Sequence, residues 1–161
     1  MIRVGFIGVG GMGREQAKAF ALVRGCSITA GADVSAESRA KFLETFPQAQ
    51  VVDDYRRLLK AGAVDALVIS VPTGLHAGVA GAALKARIPV LLEKPMARTV
   101  AECRQLIANS RKTETLLMIA HCRRYDPYWG AWAKVVRSGR LGAPILWRHV
   151  MAGLGPGRWF M

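Results

Sequence analysis

Cysteine is sparse in this sequence. Cys26, Cys103 and Cys122 are odd in number and widely spaced. That argues against a disulfide framework or a zinc site and points to a reducing, cytoplasmic setting. No metal site is expected. Aromatics make up only 7% of a chain that is 52% hydrophobic, so the core must rest on Ala, Val, Leu and Ile, as in parallel sheets. No run of about 18 uncharged apolar residues occurs, so no membrane-spanning helix is expected. Met1 leads straight into an apolar run, so no secretory leader is expected. Internal repeats, low-complexity tracts and linkers are missing too. A length of 161 residues suits one domain with a real core.

Acidic residues are also scarce, 11 against 23 Lys and Arg, for a formal charge of +12. None follows Asp126, whereas Lys134, Arg137, Arg140, Arg148 and Arg158 do. Such a balance can attract nucleic acid or anionic ligands. The basic residues are scattered, however, and no basic run is interleaved with aromatics. A solvated basic surface is favoured over nucleic-acid binding.

What the chain does have is glycine in a telling place. Val4, Phe6 and Ile7 form a short apolar run that reads as a buried strand, and Gly8-Val9-Gly10-Gly11-Met12-Gly13 follows it as G-x-G-x-x-G. Arg14 to Arg24 then reads as a helix, with Ala17, Phe20, Ala21 and Leu22 at helical spacing. In this setting Gly8 permits the turn, Gly10 lets the backbone approach a pyrophosphate, and Gly13 lets helix and strand pack closely. The helix N-terminus offers free N–H groups to phosphate. The flanking strand and helix raise a common motif to a candidate dinucleotide site.

Further strands are predicted at Ser27–Ala32, Val51-Val52, Asp65–Val71, Pro89–Leu92, Thr115–Ala120 and Ile145–Met151. Helices are predicted at about Ser35–Glu44, Tyr55–Leu59, Leu75–Ala86, Thr99–Lys112 and Asp126–Ser138, and a loop at Gly153–Gly157. Strands alternating with helices argue for an α/β doubly wound parallel sheet. Ligands bind such sheets at the C-terminal strand ends. Four stretches should gather there: the glycine loop, Asp33, Val71-Pro72-Thr73 and Glu93-Lys94-Pro95.

Asp33 stands 20 residues after Gly13, at the end of the second strand. There a carboxylate can accept from the adenosine ribose hydroxyls and repel a 2′-phosphate, favouring NAD over NADP. Arg39 leaves the preference open, and Asp33 could instead cap the next helix. Lys94 should point its ammonium into the cleft, where it can bond a substrate hydroxyl and handle its proton. Glu93 could pair with Lys94 or hold the nicotinamide ribose, and the bond before Pro95 could be cis. Tyr125, Trp129 and Trp132 suggest core or interdomain packing, and His149 a structural role.

Five motifs in order carry a resemblance: Ile7-Gly8-Val9-Gly10-Gly11-Met12-Gly13; Asp33; Val71-Pro72-Thr73-Gly74-Leu75-His76; Glu93-Lys94-Pro95; and Arg124-Tyr125-Asp126-Pro127 with Gly139-Arg140-Leu141-Gly142. The chain resembles the N-terminal part of the Gfo/Idh/MocA family of NAD(P)-dependent sugar and inositol dehydrogenases. The resemblance implies a Rossmann domain over residues 1–121 with Lys94 as catalytic lysine. Residues 122–161 would be a crossover helix and the start of a substrate and oligomerisation domain. It places the His76 turn beside the nicotinamide, although a locally bonded histidine is equally open. His121 and Arg123 or Arg124 would face the same cleft. The implied reaction passes a hydride between nicotinamide and a secondary alcohol or ketone of a sugar, cyclitol or similar polyol.

Family members continue into a mostly antiparallel second domain that usually carries a D-x-x-x-H signature, absent from this sequence. Its Asp anchors substrate and its His serves as general acid/base. The chain is therefore expected to bind the cofactor and to turn over weakly or not at all in isolation. A non-catalytic dinucleotide-binding module or a split-enzyme subunit is the alternative. The lone strand Ile145–Met151 could pair with another copy, giving a homo-oligomer.

Overall fold

Strand β1 (Ile2–Ile7) alternates its side chains between two different cores. Val4 and Phe6 pack with Val9, Ala17, Phe42 and Val68 on one face. Ile7 packs with Leu67, Ile69, Val79, Leu84 and Leu92 on the other. A strand buried on both faces belongs in the middle of a parallel sheet. The computed structural model, which describes residues 1–62, 64–143, 146, 148 and 150, puts it there.

Along the chain follow α1 (Gly11–Ala21), β2 (Cys26–Ala32), α2 (Ala36–Thr45), β3 (Gln50–Val52), α3 (Tyr55–Ala61) and β4 (Ala66–Ile69). A 3-10 turn at Thr73–Leu75 leads into α4 (His76–Lys85), β5 (Val90–Leu92), α5 (Val100–Thr113), β6 (Leu117–Ile119) and α6 (Pro127–Arg137). The sheet order is β3-β2-β1-β4-β5-β6, parallel throughout. This is the doubly wound Rossmann arrangement, and its order reverses between β1 and β4. The chain divides into two compact units, Met1–His121 and Cys122–Met161. The first holds the whole sheet and α1 to α5. The second holds the 3-10 turn Cys122–Arg124 and α6.

Local chemistry sets the element ends. Ser35 caps α2 by accepting from Ser38 N–H, and Asp54 caps α3 by accepting from Arg56 N–H. Thr99 and Glu102 form a reciprocal capping box at α5. Asp126 caps α6 ahead of Pro127. Two expectations shift. Helix α1 starts at Gly11, inside the glycine loop, instead of at Arg14, because glycines in a first turn hide a helix from propensity. It ends at Ala21, and Leu22 stands 88% exposed, so Leu22 fits the spacing without joining the core. The expected strand Ile145–Met151, the loop Gly153–Gly157, His149 and any pairing of copies through that strand fall largely or wholly outside the described residues. Tyr125 and Trp132 are exposed within the second unit, so neither supplies core there. Tyr128 instead meets Trp129 and Trp132 edge-on, and the Arg123 guanidinium lies 5.7 Å from the Trp129 ring centroid.

A clasp closes the start of the sheet. Arg3 reaches Asp65 in a two-pronged contact, Nε to Oδ2 at 3.1 Å and the terminal nitrogen to Oδ1 at 2.7 Å. The Arg3 N–H donates to Asp65 Oδ2 at 2.8 Å, and Asp65 N–H donates to Arg3 O at 2.7 Å. The Arg3 side chain, then its backbone N–H, pull the Asp65 carboxyl down to about 2. The native pKa lies below the unfolded value, so the clasp stabilises the fold fully above about pH 4. That contribution fades as the pH drops toward 2. The stability difference between wild type and Asp65→Asn, from urea midpoints, should therefore shrink steadily from pH 5 to pH 2. A difference flat over that window would refute the clasp.

Candidate functional site

At the end of β1 the backbone turns at Gly8, with φ +85°. A Cβ at Gly8 would lie 2.7 Å from the carbonyl carbon and oxygen of Ser70, just past β4. A Cβ at Gly13 would lie 1.9 Å from Gly8 O. Bare backbone is the only solution at both places, as the motif demanded. Gly10 caps α1 without a side-chain bond, and the first turn holds no acidic residue. The first N–H groups of α1 are thus left for a ligand. Met12 is exposed on this turn.

Asp33 joins the loop from the end of β2. Its Oδ2 accepts from Val9 N–H at 3.0 Å and its Oδ1 from Ser35 N–H at 2.9 Å. Gly8 N–H donates to Ala32 O at 2.8 Å. The helix cap is Ser35, so Asp33 does not take that role. Arg39 donates to the carbonyls of Asp33 and Val34, at 2.8 and 3.0 Å. Arg14 donates to Val9 O at 3.2 Å.

Beyond β4, Val71-Pro72-Thr73 runs into the 3-10 turn. His76 is 1% exposed. Its Nε2 lies 2.9 Å from Val71 O and its Nδ1 lies 2.7 Å from Pro95 O. A neutral imidazole has one N–H, so only the doubly protonated ring donates to both carbonyls at once. In either form the ring sits between two loops, with one nitrogen facing each carbonyl. Its part in the site is to hold the turns beyond β4 and β5 together.

Beyond β5, Glu93 N–H donates to Ile69 O at 2.9 Å. The Lys94–Pro95 bond is cis. Glu93 meets Lys94 at its backbone N–H, 2.9 Å from Oε2. Among the described residues the Lys94 ammonium has no ion-pair partner, and the side chain is exposed. The fold thus gathers Gly8, Gly10, Gly11, Met12, Gly13, Asp33, Val71, Pro72, Thr73, Glu93 and Lys94 at one end of the first unit. His121, in that unit, is exposed. Arg124 stands exposed in the second. Two residues of the site escaped the sequence. Gln16 donates to Glu93 Oε1 at 2.7 Å and accepts from the Ser70 hydroxyl. Only the one-turn spacing from Gly13 marked Gln16, and a polar end to an apolar run marked Ser70.

Residues 2–121 match the family described as oxidoreductase family, NAD-binding Rossmann fold. The chain belongs to the Gfo/Idh/MocA family. It is 36% identical over 160 residues to the inositol 2-dehydrogenase of Rubrobacter xylanophilus, covering 97% of this chain and 46% of that one. It is 34% identical over 148 residues to the inositol 2-dehydrogenase of Acidothermus cellulolyticus, covering 90% and 43%. A variant of KijD10, a 3-ketoreductase of Actinomadura kijaniata crystallised with TDP-benzene and NADP, superposes with a TM-score of 0.78 at 29% identity. That match covers 86% of this chain and 44% of that one. The chain therefore spans less than half the length of these Gfo/Idh/MocA relatives. No described helix is long and apolar enough to cross a membrane, and the described residues form no metal-binding cluster.

Two substitutions probe the frame. Gly13→Ala should cost at least about 2 kcal/mol, since its methyl meets backbone that cannot yield easily. His76→Ala should cost about 2–4 kcal/mol by emptying a buried site and leaving two carbonyls unpaired. Urea midpoints with unchanged slopes check both, and a loss below about 0.5 kcal/mol would contradict either contact.

Proposed function

We propose that this chain is the cofactor-holding part of an NAD-dependent dehydrogenase acting on a secondary alcohol or ketone of a cyclitol, sugar or similar polyol. The observation that carries this reading is the meeting of an uncapped glycine helix, the Asp33 carboxylate and an unpaired Lys94 at the sheet's switch point. The residues fit a dinucleotide. A Cβ at Gly8 or Gly13 would fill the cradle, and the N–H groups of Gly11, Met12 and Gly13 suit a pyrophosphate. Gly10 would let the backbone approach it. Asp33 keeps lone pairs beyond its bonds to Val9 and Ser35 N–H for the adenosine ribose hydroxyls. The turn Val71-Pro72-Thr73, braced by His76, would line the nicotinamide half.

NAD is favoured over NADP by charge. A 2′-phosphate would meet the Asp33 carboxylate, and Arg39 already serves two backbone carbonyls. KijD10, which was crystallised with NADP, marks the alternative. The polyol class is favoured by the two inositol 2-dehydrogenases among the relatives.

The bound cofactor supplies the hydride acceptor or donor. As the ammonium, Lys94 would hydrogen-bond the substrate oxygen, stabilise negative charge growing on it and give it a proton in the reduction direction; in the oxidation direction the neutral amine would take the hydroxyl proton and become the ammonium. Glu93 accepts from Gln16 at one oxygen and from Lys94 N–H at the other, so it holds the lysine's backbone, and no acidic group among the described residues pairs with the ammonium. A second reading, a dinucleotide-binding module without turnover, is favoured by the match of residues 2–121 to a family described by its NAD-binding Rossmann fold.

Calorimetry should register NADH binding by the 161-residue chain. Asp33→Ala should weaken NAD at least about tenfold, and weaken NADP less. Absence of NADH binding would remove both readings. A polyol panel separates them: turnover that falls at least about 100-fold in Lys94→Ala supports the enzyme. Turnover that survives the substitution takes Lys94 out of the mechanism.

A further inference from the structure

Gln16 lies on α1, one turn past Gly13, yet its side chain spans two strand ends. Glu93 is a carboxylate and can only accept, so the amide nitrogen of Gln16 must face it, at 2.7 Å. The amide oxygen then faces Ser70, whose hydroxyl donates to it. The polarity of this relay has one solution: Ser70 O–H to Gln16, Gln16 N–H to Glu93. The relay ends at Glu93, whose other oxygen accepts from Lys94 N–H at 2.9 Å. All three side chains are half-buried, which strengthens such bonds relative to water. Backbone bonds anchor both ends, Ser70 N–H to Ile7 O at 2.8 Å and Glu93 N–H to Ile69 O at 2.9 Å. The neighbouring charges on α1 are turned elsewhere. Arg14 donates to Val9 O, and Glu15 pairs with Lys18. Glu93 and Lys94 are the charged groups at the relay's far end.

We propose that Gln16 is a positioning residue: through Ser70–Gln16–Glu93 it fixes the turn that presents Lys94 and ties that turn to the helix meant for the cofactor's phosphates. The proposal rests on the dehydrogenase reading given above. Docking on α1 and presentation of Lys94 then become one rigid event, because a shift of α1 drags Glu93 with it.

The experiment follows the Lys94 backbone amide by nitrogen-15 NMR in the full chain without cofactor, and titrates NADH as a separate arm. In Gln16→Met, which keeps the volume and removes both bonds, protection of the Lys94 amide from exchange should fall about tenfold. Protection of Phe6 and Val68 in the sheet centre should stay unchanged. In Gln16→Glu two carboxyls face each other. At pH 8 their repulsion should loosen the Lys94 amide as in Gln16→Met. Near pH 5 one of them takes a proton and donates the missing bond, so protection should recover. NADH affinity should follow the same order, weaker in Gln16→Met at every pH and weaker in Gln16→Glu only at high pH. Unchanged Lys94 protection in Gln16→Met, or a Gln16→Glu variant insensitive to pH, overturns the relay. A wild-type chain that fails to bind NADH overturns the dehydrogenase reading, while the amide still reports on Gln16.

Discussion

Two missing side chains hold the site together. At Gly8 and Gly13 three pieces of backbone meet with no space for a methyl between them: the end of β1, the start of α1 and the step past β4. The contact brings the helix N-terminus over the switch point of the sheet. It also dictates the loop's length, because a longer approach would need side chains to fill the gap. Phe6, Phe20, Phe42 and Phe46 pack as a small cluster on the sheet face that also buries Val9 of the loop.

From that contact, polar links run outward to each neighbouring strand end. Asp33 holds the loop to β2 through Val9 N–H, Gln16 holds α1 to Ser70 and Glu93, and His76 holds the turns beyond β4 and β5. Each such bond contributes about 1 kcal/mol net, and more where one partner is charged. Their shared feature is direction. Asp33 and His76 meet backbone N–H and C=O groups beyond the strand ends, and Gln16 meets the side chains of Ser70 and Glu93 there. The groups that finish the fold are therefore the groups that shape the site. Stability and affinity will change together in most variants here. Variants that separate them must keep one partner of a bond while altering its charge.

Much of this frame was legible in the residues. Alternating β and α periods, the Asp126-Pro127 helix start and the spacing from Gly13 to Asp33 each rest on local chemistry that a sequence exposes, whereas the cap of α2 is Ser35 and not Asp33. The parallel order follows from the same alternation. Other features were hidden for physical reasons. Helix α1 starts inside a glycine run that propensity counts as loop. Leu22 fits the helical spacing but falls one residue past the helix and faces solvent. Gln16 and Ser70 matter only because β1, β4 and β5 become neighbours, and no local pattern encodes that distance. His76 was open between a cofactor-facing and a locally bonded role. Burial and two carbonyl partners give it local bonds, and those bonds brace the very turns expected to line the cofactor.

The adjacency of Glu93 and Lys94 is the point where these threads meet. Side by side on an exposed turn, a carboxylate and an ammonium would tend to neutralise one another. Here each carboxylate oxygen accepts one N–H, from Gln16 and from Lys94 itself. Among the described residues no acidic group pairs with the ammonium. At about 4 Å and an effective dielectric constant near 20, a unit charge on a facing oxygen is worth roughly 4 kcal/mol, about three powers of ten in rate if it develops only in the transition state. A lysine paired with a carboxylate would give up much of that. On the proposed reading, in which Lys94 meets a substrate oxygen and α1 a phosphate, the Gln16–Glu93 bond joins the two tasks.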